Sequence, residues 1–112
     1  MFVKRLVQRE WVSAGYEGAE RAMLRLSPAN GRTSIVRLKA GAHGPRHRHQ
    51  AGEDVFVLVG RIVIGGETLV AGDYFYTEAG EEHDLLAMED SIIYVSSDRP
   101  VTIAAGQAPL RI

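Results

Sequence analysis

Apolar residues fall in short runs separated by turn formers, at 23–26, 33–38, 55–59, 61–64, 68–70, 74–76, 91–96 and 101–103. Short strands at such regular spacing predict an all-β sandwich or barrel. Arg61-Ile62-Val63-Ile64, then Gly65-Gly66, then Glu67-Thr68-Leu69-Val70 predicts a hairpin, because the two glycines supply the positive φ angles of a tight turn. Only the first 25 residues are ambiguous: Leu6, Val7, Trp11 and Val12 fit a short helix or an edge strand, while Gly15 and Gly18 oppose a long helix. There is no internal repeat, low-complexity tract or proline- and serine-rich linker. Residues 1–112 are therefore read as a single domain, with an N-terminal segment over 1–25 and the barrel over 33–96.

Val55-Phe56-Val57-Leu58-Val59 is apolar at every position, where a strand with one wet face should alternate. Pleat parity places Glu53, Val55, Val57 and Val59 on one face, Asp54, Phe56 and Leu58 on the other. If Glu53 points inward, Phe56 and Leu58 need a cover, which the N-terminal segment or a second subunit would provide. A homodimer is expected on that ground.

Composition narrows the function. Thirteen basic and fourteen acidic side chains give a formal charge of -1, without a block of like charge to follow a phosphate backbone or an anionic membrane. No nucleic-acid or membrane partner is expected, and no apolar run approaches the roughly 18 residues of a membrane span. The N-terminus lacks the pattern of a cleaved signal, so the expected location is cytoplasmic. With no cysteine, disulfides, thiolate catalysis and sulfur-rich zinc sites are excluded, and any metal must be held by nitrogen and oxygen.

His47-Arg48-His49 puts two imidazoles at i and i+2, which on an extended strand project from one face about 7 Å apart. On a continuous strand Glu53 would lie about 13 Å further on, too far for a shared ion. A turn at Gln50-Ala51-Gly52, permitted by Gly52, is therefore expected to bring the carboxylate back from the neighbouring strand. His83 follows the hairpin and the strand at Tyr74, far enough along for the sheet to curl and present it from another strand. An isolated His-X-His is more often packed or exposed than ligating, so the wider frame carries the argument.

That frame is Gly41, five residues, His47-X-His49, three residues, Glu53, six residues, Gly60, followed by Gly72, five residues, Glu78, one residue, Gly80, two residues, His83. It resembles the paired motifs of the cupins. Glu78 stands where the second motif usually has proline, and Ala87 where it usually has asparagine; the eleven residues between Gly60 and Gly72 leave room for a bare hairpin. Trp11, Leu24 to Leu26, Thr33-Ser34-Ile35-Val36-Arg37-Leu38, Pro45 and Gly52-Glu53-Asp54-Val55-Phe56-Val57-Leu58 are similar to the small cupins of ChrR-type anti-sigma factors and acetylacetone-cleaving dioxygenases. The resemblance implies an all-β, RmlC-like cupin β-barrel or jelly roll with one divalent metal ion per chain (iron, zinc, manganese or nickel) on His47, His49, Glu53 and His83. The sigma-binding domain of those factors has no counterpart here, so the chain alone is not expected to act as an anti-sigma factor.

Three neutral imidazoles and a carboxylate leave a divalent ion with a net charge of about +1 and, if octahedral, two adjacent open positions suited to a bidentate, singly anionic ligand. A metal-dependent dioxygenase or lyase acting on a small oxygenated molecule is the first reading; the other is a non-catalytic metal or ligand sensor whose four protein ligands close around zinc. A metal-free sugar-binding or isomerase cupin comes third. Arg37, Arg46, Tyr74, Tyr76 and Tyr94 are candidate substrate contacts whose facing the sequence does not fix. His43 is expected to be exposed, and Glu78, Glu81 and Glu82 to form a solvated turn, although a glutamate near the metal could act as a base.

Overall fold

The computed structural model describes residues 1–28 and 31–98, and the backbone of 102–103. Among the described residues eleven strands form two antiparallel sheets. The six-stranded sheet runs β1 (Trp11–Ser13), β2 (Ala19–Leu26), β3 (Arg32–Leu38), β10 (Ser91–Ser97), β5 (Glu53–Val59), β8 (Tyr74–Thr77). The five-stranded sheet runs β11 (Thr102–Ile103), β4 (His43–Arg48), β9 (Glu82–Ala87), β6 (Arg61–Ile64), β7 (Glu67–Val70). From β4 onward the chain passes from one sheet to the other at nearly every connection, with the β6–β7 hairpin the exception. No ladder joins the sheets among the described residues, so of the two forms expected, barrel and jelly roll, the architecture takes the second.

Crossing between sheets gives each strand one inward face, and the apolar residues follow it. Val36, Val55, Val57 and Ile93 from the large sheet meet Ile62, Ile64 and Leu85 from the small one, all at most 5% exposed. The Gly65-Gly66 turn joins β6 to β7 with positive φ at both glycines, as the hairpin required. Each predicted run lies in a strand, save that Val101 falls outside the described residues. The ambiguous N-terminus resolves into a single 3₁₀ turn at Leu6–Gln8 and the edge strand β1.

The expected parity holds for Glu53, Val55 and Val57, which are buried, and for Phe56 and Leu58, which face outward. It fails at Val59, which is 51% exposed. The cause is a bulge: Ile92 pairs with Val59 and Ile93 with Val57, so Leu58 is an extra residue that turns Val59 to the outside. Phe56 and Leu58 are 39% and 43% exposed, so the N-terminal segment does not cover them. Among the described residues no helix is long and apolar enough to cross a membrane.

Candidate metal centre

His47 lies on β4 directly opposite His83 on β9, so the small sheet presents two imidazoles side by side. His49 lies just past the end of β4, where its backbone N–H donates to the Glu81 carbonyl and its own carbonyl accepts from Gly80. These bonds keep it in line with the strand and its ring inward. The chain bends at 50–51 and enters β5, where Glu53 is the first residue. The carboxylate thus returns from the next strand along the chain, as expected after a turn, and that strand belongs to the facing sheet.

Gly52 has a different role from the one expected. Its φ is not positive, so the bend does not depend on glycine for backbone freedom. An added Cβ would instead collide with the Tyr76 hydroxyl and lie 2.7 Å from the ring carbon that bears it. The glycine makes room for a tyrosine that lies against the bend.

His47, His49, Glu53 and His83 are 1%, 0%, 2% and 5% exposed, and one donor atom from each lies within 4.8 Å of the others. Donors on opposite sides of one ion at about 2.1 Å are about 4.2 Å apart, the same scale. The ring centroids are 4.6 Å (His47–His49), 4.8 Å (His47–His83) and 4.5 Å (His49–His83) apart. Phe75 closes one side, edge-on to His83 at 5.9 Å.

Each side chain has one atom engaged and one left over. His47 Nδ1 lies 2.9 Å from the Pro45 carbonyl, which can only accept, so that nitrogen carries the proton and Nε2 holds the lone pair. His49 Nε2 lies 3.0 Å from Glu53 Oε1, and His83 Nε2 lies 3.1 Å from Thr77 Oγ1. His47 Nε2, His49 Nδ1, Glu53 Oε2 and His83 Nδ1 are buried without a hydrogen-bond partner among the described residues. Buried polar atoms are seldom left unpaired, and four on four adjoining ligand-type residues fit a cation.

Desolvation pushes both paired imidazoles toward the neutral form that a metal requires. Burial lowers the His47 pKa, with His49 adding to the effect against the opposing Pro45 hydrogen bond. Burial, followed by the neighbouring His49 and His47, brings His83 down to about 3. Both are therefore uncharged near neutral pH.

The candidate substrate contacts do not join this cluster. Arg37 lies on the outer face of the large sheet, paired with Glu20 at 3.0 Å and stacked 4.0 Å from the Trp11 ring. Tyr94 pairs across the sheet with Ile35 and Phe56 and faces outward, as does Tyr74, which hydrogen-bonds Asp54. Tyr76 reaches the bend through Gly52, and Arg46 is engaged by Glu82 at 3.3 Å. His43 is exposed, as expected, and pairs with Asp84 at 2.8 Å. Glu82 pairs with Arg46 and Arg48, while Glu81 accepts from the Glu78 backbone N–H. The sequence reading missed Thr77, whose hydroxyl meets the His83 ring. Thr77 pairs with Glu53 across β5 and β8, a neighbour that only the register reveals.

The family profile described as the ChrR cupin-like domain matches residues 1–102. The chain belongs to this family. Among curated proteins, the DNA damage-repair/toleration protein DRT102 of Arabidopsis thaliana is 32% identical over 87 residues, 72% of this chain but 27% of that protein. An acetylacetone dioxygenase from Acinetobacter johnsonii superposes with a TM-score of 0.83 at 21% identity, over 96% of this cupin and 81% of that chain. The anti-sigma factor ChrR in its complex with SigE, from Rhodobacter sphaeroides, gives a TM-score of 0.72 at 24% identity, over 83% of this cupin and 50% of the ChrR–SigE structure's matched chain. At these identities the structural likenesses establish the cupin fold.

Proposed function

We propose that this cupin binds one divalent metal ion per chain through His47, His49, Glu53 and His83 and acts on a small oxygenated molecule, as a dioxygenase or related lyase. The observation that carries the reading is the set of four buried atoms, one on each residue, that have no hydrogen-bond partner among the described residues. The ligand set is imidazole and carboxylate without thiolate, which suits iron, manganese or nickel as well as zinc. When bound, the ion would supply Lewis-acid polarisation of a chelating ligand's oxygens and, if iron(II), reactivity toward dioxygen.

The chain's own residues set up that chemistry. The Pro45 carbonyl holds the proton on His47 Nδ1, fixing the ring and its free nitrogen. Thr77 Oγ1 holds the His83 ring from the facing sheet, and Phe75 packs against the same ring to keep water from its edge. Burial of all four ligand side chains removes the water that would otherwise compete for a polarised ligand.

The test is to load the protein with iron(II) without air and titrate it with β-diketones and α-hydroxyketones, the first being the class named by the acetylacetone dioxygenase it resembles in fold. A charge-transfer band, followed by dioxygen uptake when air is admitted, is expected. Zinc copurifying at one per chain, with neither band nor uptake, would instead favour a metal or ligand sensor, as membership of the ChrR cupin-like family suggests.

The cupin is also proposed to work as a homodimer. Phe56, Leu58, Val59 and Tyr74 leave 39 to 56% of their surface exposed on the outer side of the large sheet, an apolar face that a second copy would cover.

A further inference from the structure

Tyr16 sits in the turn between β1 and β2, yet its ring packs against the hydrophobic core. It does so by lying on Gly44 of β4, where an added Cβ would be 2.9 Å from the ring carbon bearing the hydroxyl, 3.0 Å from the hydroxyl oxygen and 3.2 Å from the next carbon. Gly44 pairs with Leu85 and His47 with His83 on the same two strands. The stretch of sheet under the phenol therefore lies about 7 Å, two residues of β9, along the inner face from the paired imidazoles. Its hydroxyl makes no hydrogen bond among the described residues. The residue is half-buried and its oxygen is not sealed from solvent, so the group is open to a bound ligand. Burial and then the charge of Glu53 raise its pKa well above the ordinary value, so the proton stays on the oxygen as a donor.

We infer that the Tyr16 hydroxyl donates a hydrogen bond to an anionic oxygen ligand seated at the His47, His49, Glu53 and His83 site, and so selects for such ligands. The inference rests on the proposed metal site and adds a residue that neither cupin motif contains. It also gives Gly44 a purpose: any side chain there would displace the ring.

The test uses the full chain loaded with cobalt(II), whose visible spectrum reports ligand exchange. Acetate is the anionic probe; pyridine is the neutral one, with no second acceptor once its nitrogen is taken. Tyr16→Phe should weaken acetate by about tenfold or more, the expected loss of a hydrogen bond to a charged group, while pyridine and cobalt affinities change by less than about twofold. Gly44→Ala, which crowds the ring without removing the hydroxyl, should weaken acetate in the same direction. Unchanged acetate affinity in both variants would overturn the inference while leaving the metal site intact, as would equal weakening of acetate and pyridine. Failure of the parent protein to bind cobalt would overturn the metal reading, and this inference with it.

Discussion

His49 Nε2 lies 3.0 Å from Glu53 Oε1 across a four-residue bend, and both side chains are at most 2% exposed. One comes from the end of a strand in the small sheet and the other from the first position of a strand in the large sheet, so the contact ties the two sheets together at the candidate metal centre. It leaves Glu53 Oε2 buried without a hydrogen-bond partner among the described residues. Such a carboxylate is costly to fold around and useful only to a cation.

Glu53→Gln should accordingly separate function from stability. Metal affinity is expected to fall by at least tenfold, while the metal-free variant melts at the same temperature as the parent or higher, because a neutral amide is cheaper to bury. Chelator competition and thermal melts of the stripped proteins check both halves. A stripped variant much less stable than the stripped parent would contradict the account.

The metal-free protein should lose stability as the pH drops. His83 titrates at about 3 in the folded protein against 6.5 for a free imidazole, and His47 is shifted in the same direction. Between those pH values the unfolded chain takes up protons that the folded chain refuses, so the loss begins near 6.5 and continues toward 3. The slope is at most about 1.4 kcal/mol per pH unit for each histidine. Urea unfolding of the stripped protein at pH 7, 6, 5 and 4 measures it; a flat profile would count against neutral, desolvated imidazoles.

Chelation should leave the sheets in place. The inward residues Val36, Val55, Val57, Ile62, Ile64 and Ile93 bury apolar surface worth roughly 25 cal/mol per Å² whether or not an ion is present. Circular dichroism of the chelated protein is expected to keep its β signal with a lower melting temperature, since an ion bound only by the folded state stabilises it. Loss of the β signal at room temperature would mean that the metal, and not the core, holds the fold.

The outer face of the large sheet predicts a dimer, measurable by light scattering at micromolar concentration. A mass twice that of the 12.3 kDa chain is expected, and Leu58→Glu should shift it toward one. A clean monomer in the parent protein would remove the case for a subunit contact there.

Much of this was legible in the sequence, for physical reasons that differ by residue. The hairpin at Gly65-Gly66 showed because two adjacent glycines have few other uses between apolar runs. Strands β4 and β9 did not show as apolar runs, since their inward positions are histidines, Gly44, Leu85 and Ala87 between charged residues. The frame of His47, His49, Glu53 and His83 picked out the four residues that the fold brings together as a candidate site, but not that Glu53 arrives from the opposite sheet. The bulge that turns Val59 outward depends on pairing with β10, which no local pattern encodes. The facing of Tyr74 and Tyr94, which the fold turns outward, was not legible, and Tyr16 and Thr77 looked ordinary because only the fold brings them against the core and the histidines.

The central claim is a metal held by four named side chains, and metal content tests it most directly. Parent protein and the variants His47→Ala, His83→Ala and His43→Ala, purified without added metal and then equilibrated with one divalent ion, would be analysed for metal per chain. About one equivalent is predicted for the parent and for His43→Ala, whose imidazole is exposed and paired with Asp84, and far less for His47→Ala and His83→Ala. Equal retention in all four proteins, or equal loss in all three variants, would contradict the account.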